Sequence, residues 1–267
     1  FNNSKINYCV TIGYIGDHRF KSAKKSSNFL KNKLKKQGAE KIVSYLDENS
    51  SDDARFGPGH DQIQKDYKLL FEKVIDLEWL GLVVKPKKPS TLKRRLGGEV
   101  SELMQKATET GRCYIFSEDY VSHPCEAAFA SDIVIHNSLD AGTAGMECAL
   151  TGIPTLLLDK NGWRKSQLYK AGKGKVVFND LITLWDELNN HWNNKTNPDF
   201  GDWSLIINDL DPFRDGKATK RMSKYLSWII ECFNEGLDRG AALEVAANRY
   251  AKQWGNDKIE KNIGITT

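Results

Sequence analysis

The stretch Ser131-Asp-Ile-Val-Ile-His-Asn-Ser-Leu-Asp-Ala-Gly-Thr-Ala-Gly-Met-Glu-Cys-Ala-Leu-Thr-Gly-Ile-Pro-Thr-Leu-Leu-Leu-Asp159 decides the fold class of this chain. Residues 133–135 and 155–158 are short apolar runs bounded by turn residues, which is the pattern of parallel strands buried on both faces. The segment between them has room for a single crossover helix. The stretch therefore predicts a buried strand, a glycine loop, a short helix and a second buried strand.

The glycine loop has the features of an anion site. Free backbone N–H groups and the positive end of the helix dipole favour a phosphate where the helix begins. Glu147 is predicted to follow within the first turn and to reach the same ligand, because helical side chains lean toward the N-terminus. A dipole or capping-box role for Glu147 is the alternative. It fits poorly, because with Thr143 as N-cap the box position is Met146. The predicted nucleotide contacts are Gly142, Thr143, Ala144, Gly145 and Glu147.

The segment resembles the nucleotide-sugar-binding C-terminal domain of GT-B glycosyltransferases. In that family a strand, a Gly/Ser/Thr loop and a helix with an early Glu precede Ala-Leu-small-Gly-x-Pro and another strand. Here the final pattern is Ala149-Leu150-Thr151-Gly152-Ile153-Pro154. The wider chain is similar to bacterial proteins of surface-polysaccharide biosynthesis, through Val84-Lys85-Pro86-Lys87, Gly201-Asp202-Trp203 and the run from Asp211 to Gly216. Together the two resemblances cover most of residues 5–255, and only 131–159 is specific.

Hydrophobic patterning along the rest of the chain alternates between strands and helices. Further strands are predicted at 6–15, 41–46, 81–85, 112–116 and 175–178, and helices at 22–37, 61–77, 92–109, 123–130 and 181–192. This alternation predicts an α/β fold with a doubly wound, Rossmann-like parallel sheet and C-terminal helices. We assign residues 1–192 to donor binding and 193–267 to a helical extension. The resemblance implies that this extension also packs on an N-terminal domain missing from the sequence.

Composition narrows the functional classes. The 39 basic and 35 acidic residues give a net charge of +4, too small to indicate nucleic acid. No apolar run approaches the roughly 20 residues that span a bilayer. The five cysteines lack C-x-x-C spacing, and buried thiols in a reducing cytoplasm are expected.

Eight lysines lie within residues 21–41. A solvated helix face is the simpler interpretation, and contact with anionic polymer or lipid at the inner membrane face is the alternative.

Ligands of an open α/β sheet lie beyond the carboxyl ends of its strands, so the loops there hold the candidate site residues. His136 is a candidate general base or sugar ligand, with a structural hydrogen-bonding role as the alternative. Lys85 is the candidate for neutralising phosphate, assisted by Arg94 and Arg95, and a plain surface lysine is the alternative. Arg19, after the first predicted strand, is a candidate phosphate or acceptor contact, and a simple surface turn is equally compatible.

The loop after His136 adds polar candidates. Asp140 is the second catalytic candidate, and Ser138 and Asn137 are predicted to bind sugar hydroxyls. The acidic loop 47–53 could supply a carboxylate or hold a divalent ion, and a solvated turn is the favoured interpretation. By resemblance, GT-B chemistry requires no bound metal, so none is expected.

The resemblance implies a metal-independent glycosyltransferase without a cofactor. It would transfer a sugar from a nucleotide-sugar donor to a glycan or lipid-linked acceptor, with His136 and Asp140 near the sugar and Lys85 offsetting charge on the departing nucleotide. Two alternatives stay open. One is an isomerase resembling nucleotide-sugar 2-epimerases, which share the fold and the glycine-loop-to-glutamate pattern, and the other is a non-catalytic nucleotide-binding module. NAD-dependent chemistry is disfavoured, because no G-x-G-x-x-G follows the first predicted strand.

Overall fold

A computed structural model describes residues 6–52, 59–119, 121–139, 142–172, 174–194, 197 and 199–263. The described residues form two compact units. Unit 1 combines the residues up to Arg19 with those from Asp211 onward, and unit 2 is Phe20–Leu210. The functional division into residues 1–192 and 193–267 stays a prediction.

The strands and helices follow each other in alternation through unit 2. In chain order the strands are β1 (Ile6–Val10), β2 (Lys41–Leu46), β3 (Leu80–Lys85), β4 (Cys113–Ile115), β5 (Ile133–His136), β6 (Thr155–Leu158), β7 (Val177–Phe178) and β8 (Ile259–Ile263). The helices are α1 (Phe20–Lys36), α2 (His60–Asp76), α3 (Leu92–Glu109), α4 (Pro124–Phe129), α5 (Thr143–Leu150), α6 (Leu181–Asn194), α7 (Ile207–Leu210), α8 (Ala218–Asn234) and α9 (Arg239–Trp254). No helix in the described ranges is both long and apolar enough to cross a bilayer.

Six of the described strands form one parallel sheet in unit 2, in the spatial order β4-β3-β2-β5-β6-β7. If β2 to β7 are renumbered 1 to 6 in chain order, the spatial order becomes 3-2-1-4-5-6. This is the strand order of doubly wound dinucleotide-binding folds. The predicted α/β fold class is therefore confirmed. The chain builds outward from β2 to β4 and then returns to the centre with β5. The order reverses between β2 and β5, so ligands are expected in the crevice at the carboxyl ends of these two strands.

Helices cover both faces of this sheet, and β2 shows how the sequence specifies it. Val43 and Tyr45 join the core cluster that contains the apolar side chains of α2 and α3. Ile42 and Leu46 belong to the opposite cluster, with residues of α1, α4 and α5. Successive side chains of a strand point to opposite faces, and both faces here are apolar. This is why the parallel strands are continuous hydrophobic runs in the sequence.

The first predicted strand, 6–15, is wrong in its extent and in its partner. Only Ile6–Val10 is a strand, and it pairs antiparallel with β8 in a separate two-stranded sheet of unit 1. The sequence analysis does not predict β8. A short apolar run indicates a strand without identifying the strand that it pairs with. The loop carrying Arg19 therefore does not follow a strand of the parallel sheet.

Helix α8 begins with Lys217 as its N-cap, and Asp215 just before it forms an ion pair with Arg221 at 2.8 Å. Trp228 of α8 packs with Ala246 and Tyr250 of α9. The apolar side chains of Leu226, Ile230 and Phe233 of α8 are exposed.

Gly201 closes the turn beside the start of β6. Its φ is +75°, and a Cβ there would lie 2.9 Å from the Cβ of Pro154 and 3.0 Å from the backbone nitrogen of Thr155. Its carbonyl accepts a hydrogen bond from that same nitrogen at 3.1 Å. We expect Gly201→Ala to lower the free energy of unfolding by about 2–3 kcal/mol, measured by urea denaturation. Gly152→Ala is the control, because Gly152 has a φ of +82° with nothing within 4 Å of the added Cβ. An equal loss in both variants would contradict the steric argument.

Candidate functional site

The carboxyl ends of the central strands bring Lys85 and His136 to the point where the strand order reverses. Leu46, the last residue of β2, is in register with Lys85 on one side and with His136 on the other. Residues in register on parallel neighbours point to the same face, so both side chains face the helices α4 and α5. Two strand spacings, about 10 Å, separate their backbones. The buried residue Leu46 lies between them.

Lys85 is a half-buried residue. Within the described parts of the chain it has no hydrogen-bond or ion-pair partner. Burial lowers the pKa of Lys85, and the negative charges of Asp47, Glu147 and Glu126 oppose this shift. A partly desolvated cation without a partner costs stability, so Lys85 stays a candidate for contact with an anion. Its predicted phosphate role stays a prediction.

His136 is fully buried, and neither ring nitrogen has a hydrogen-bond partner among the described residues. Its Nε2 lies 3.4 Å from Oε1 of Glu48, an ion-pair distance that is long for a hydrogen bond. The side-chain oxygen of Asn137 accepts from the Glu48 backbone at 2.7 Å, and its buried Nδ2 has no described partner. Burial raises the pKa of Glu48, but the proximity of His136 and Lys87 outweighs it and the net shift is downward. The carboxylate of Glu48 thus lies against a buried imidazole, and the catalytic role of His136 stays a prediction.

The glycine loop leads into α5 as predicted, with a shift of one residue. Gly142, not Thr143, is the N-cap, so Glu147 lies in the second turn of α5 rather than in the first. The Glu147 side chain is buried, and its Oε1 accepts a hydrogen bond from the backbone N–H of Cys125 at 3.0 Å. Cys125 lies in the first turn of α4. The charge of Glu147 therefore compensates the helix dipole at the N-terminal end of the neighbouring helix α4. The sequence analysis considered such a role for Glu147 only within its own helix.

Gly145 allows α5 to pack against the sheet. A Cβ at this position would lie 2.6 Å from Cδ2 of Leu157 and 3.6 Å from Nδ1 of His136. Because Gly145 has no side chain, the first turn of α5 can pack in direct contact with His136. Gly142 is buried, Ala144 is half-buried and Thr143 is exposed. The start of α5, His136 and β6 thus form one closely packed corner of the site.

The remaining predicted residues have separate positions. Asp140 lies outside the described residues. Ser138 is half-buried in the loop after β5, close in sequence to His136. Arg19 belongs to unit 1, where its Nε donates to the carbonyl of Gly16 at 3.4 Å. The site roles of all three stay predictions.

Arg95 was predicted to assist Lys85, but the structure places it in an interaction of its own. Its guanidinium is buried and forms an ion pair with Asp47 at 2.8 Å. Asp47 also accepts from the hydroxyl of Tyr67 at 3.1 Å and from the backbone N–H of Lys87. Burial raises the pKa of Asp47, and the charge of Arg95 opposes this. The first residue of the acidic loop is therefore structural, and it links the loop that carries Glu48 to the segment that follows Lys85.

No protein-family model matches the chain, and no curated protein matches it. Among solved structures it is similar to that of S. aureus MnaA with UDP, at 12% identity and a TM-score of 0.45, over 75% of this chain and 49% of that one. It is also similar to a structure from Listeria monocytogenes described as a UDP-N-acetylglucosamine 2-epimerase, at 17% identity and a TM-score of 0.49, over 86% of this chain and 55% of the other. The chain spans about half the length of each.

These comparisons correct the predicted reaction class. Neither structure is described as a glycosyltransferase, and one is described as an epimerase. The predicted glycosyltransferase, with its sugar transfer to an acceptor, is therefore wrong. The isomerase named among the alternatives agrees better with the comparisons. At these identities the likeness concerns the fold alone, so residue roles must be argued from the site itself.

Proposed function

We propose that unit 2 binds the nucleotide of a nucleotide-sugar at the carboxyl ends of β2, β3 and β5. The single observation that carries the proposal is the half-buried residue Lys85, whose ammonium group has no partner among the described residues. It lies at the end of β3, next to β2, one of the two strands between which the strand order reverses, and ligands of this fold bind at that reversal. The start of α5 adds backbone N–H groups and a positive dipole end. Together these groups suit a diphosphate.

Glu147 is proposed to accept hydrogen bonds from ribose hydroxyls. The Oε1 atom of Glu147 accepts a hydrogen bond from the backbone N–H of Cys125, and an ionised carboxylate offers roughly four lone-pair positions. That bond fixes the carboxylate between the starts of α4 and α5. A ribose hydroxyl would therefore meet an acceptor that is already oriented, which lowers the entropic cost of binding.

For the whole protein we propose isomerisation of the nucleotide-sugar, of the 2-epimerase type. Inverting C2 by proton transfer balances if the C2–H bond breaks as the nucleotide leaves C1 with the electron pair of the C1–O bond, and if a proton then returns to the opposite face of C2 as the nucleotide re-adds. No acceptor molecule takes part. The buried imidazole of His136, 3.4 Å from the carboxylate of Glu48, is suited to proton transfer. The ring nitrogens have no described partner that competes for that proton.

Calorimetric titration of UDP into the full chain tests the binding site. UDP is the first probe because it is the nucleotide in the S. aureus structure. We expect Glu147→Gln to weaken UDP binding by about tenfold, since bonds to a charged acceptor contribute roughly 1.5–3 kcal/mol. Glu102→Gln, at an exposed position of α3, is the matched control. Equal affinities of the two variants, or no UDP binding by the folded wild type, would reject the proposed site.

The reaction is tested separately. UDP-N-acetylglucosamine is supplied to the full chain without an acceptor, and the sugar is analysed for its C2 epimer by NMR. Epimer formation supports the isomerase. Binding of UDP without any epimer assigns the chain to the non-catalytic nucleotide-binding class.

A further inference from the structure

Helix α1 carries a one-sided charge. It contains seven lysines and no acidic residue, in the sequence Phe-Lys-Ser-Ala-Lys-Lys-Ser-Ser-Asn-Phe-Leu-Lys-Asn-Lys-Leu-Lys-Lys. The whole chain has 39 basic and 35 acidic residues, so the residues outside α1 have a net negative charge. The basic character of the protein is therefore concentrated on one helix. A protein that needed lysines only for solubility would not require this segregation.

The lysines lie around an exposed aromatic side chain. The inner face of α1 buries Ala23, Ser27 and Leu34. On the opposite face Phe29 is 78% exposed. Three exposed lysines share its side of the helix. Lys25 lies four positions before Phe29, Lys33 lies four after it, and Lys36 lies seven after it. We call these four residues the basic face.

The charges of the basic face are not neutralised by any residue that the structure describes. Lys31, at the side of the helix, pairs with Asp132 at 2.7 Å. The other lysines of α1 have no carboxylate partner in the described part of the chain. An array of unpaired cations around an apolar side chain is complementary to a surface that is anionic outside and apolar beneath. The surface of an anionic phospholipid bilayer has both properties.

We propose that the basic face docks on the surface of an anionic phospholipid bilayer. Phe29 enters the region below the headgroups, and Lys25, Lys33 and Lys36 contact the lipid phosphates. Nucleic acid is the competing polyanion. The face has no arginine, whereas the planar fork of arginine is the preferred group for nucleic-acid recognition. The inference is independent of the proposed nucleotide site.

Cosedimentation of the full chain with vesicles tests the proposal. Vesicles of mixed phosphatidylcholine and phosphatidylglycerol are compared with phosphatidylcholine alone. We expect binding only to the anionic vesicles, reversed by added salt. The triple variant Lys25→Gln/Lys33→Gln/Lys36→Gln should bind at least about tenfold more weakly, and Phe29→Ser should weaken binding several-fold at unchanged charge. All four side chains are exposed, so thermal melting should show unchanged folding.

A second triple variant distinguishes the contribution of the basic face to vesicle binding from that of the net charge of the protein. Lys93→Gln/Lys106→Gln/Lys220→Gln removes the same charge from exposed positions elsewhere and should bind like the wild type. The proposal is overturned if the anionic vesicles do not bind, if both vesicle types bind equally, or if the two triple variants lose equal affinity. Binding of an RNA oligonucleotide through the same lysines, without vesicle binding, would also overturn it and assign the face to nucleic acid.

Discussion

Replacing Arg95 with methionine should lower the free energy of unfolding at neutral pH by about 3–5 kcal/mol. The Arg95 and Asp47 side chains of the ion pair are 1% and 0% exposed. Removing the guanidinium leaves a buried carboxylate whose remaining donors are the hydroxyl of Tyr67 and the N–H of Lys87. The cost is the desolvation of an uncompensated charge rather than the loss of one contact. Urea denaturation of the two proteins measures it.

The pH dependence of this loss follows from Asp47. Burial raises the pKa of Asp47, and removing Arg95 takes away an interaction that lowers it. A carboxyl whose pKa is raised in the folded state binds its proton more tightly there than in the unfolded chain. The free energy of unfolding therefore falls as the pH rises from the pKa of Asp47 in the unfolded chain to its raised pKa in the folded state. It falls further in the variant. The difference between variant and wild type should narrow in mild acid, and the double variant Asp47→Asn/Arg95→Met should recover part of the loss. A difference that does not change with pH would contradict this explanation.

Replacing Lys85 with methionine should weaken UDP binding by about 10- to 100-fold while leaving the free energy of unfolding unchanged or raised. The lost affinity is that of charge-assisted hydrogen bonds to phosphate. Burial lowers the pKa of Lys85, so the folded state holds this proton less tightly than the unfolded chain. Carrying the charge at neutral pH therefore costs stability in the absence of ligand. Methionine removes that cost and fills a similar volume.

Opposite effects on binding and stability distinguish a ligand-binding lysine from a structural one. Calorimetry with UDP and urea denaturation are applied to Lys85→Met and to Lys88→Met, whose side chain is exposed. Lys88→Met should change neither quantity appreciably. If Lys85→Met binds UDP like the wild type, or unfolds more easily than Lys88→Met, the phosphate role of Lys85 is wrong.

The sheet and its ligand edge were predictable because their signals are local. Both strands around the glycine loop are apolar throughout, and they occupy β5 and β6 within a residue of the predicted limits. Once the strands alternate with helices, the carboxyl edge follows from the fold class. Lys85 and His136 could therefore be selected as candidates for ligand contact from their positions at strand ends.

The rest of the site depends on contacts between distant residues. Arg95 lies 48 positions from Asp47, and Glu147 lies 22 positions from Cys125. Neither spacing belongs to a helix or a turn, so no periodicity reveals it. The sequence shows an exposed-looking basic pair at 94–95 and a carboxylate near a helix start. Only packing shows that one of these arginines is buried and that the carboxylate serves a neighbouring helix. Glu48 was considered only as part of the acidic loop 47–53, for which a solvated turn was the favoured interpretation, and its proximity to His136 could not be predicted for the same reason.

The pairing of β1 with β8 has a consequence for the order in which the protein forms during synthesis. Unit 2 is a continuous stretch of chain, whereas the two strands of the small sheet are among the first and the last described elements to be translated. Domains generally fold as they emerge from the ribosome. The central unit can therefore mature while β1 still has no partner. Unit 1 must wait for the final strand, and for that interval β1 is an open edge on which chaperones or another nascent chain can act.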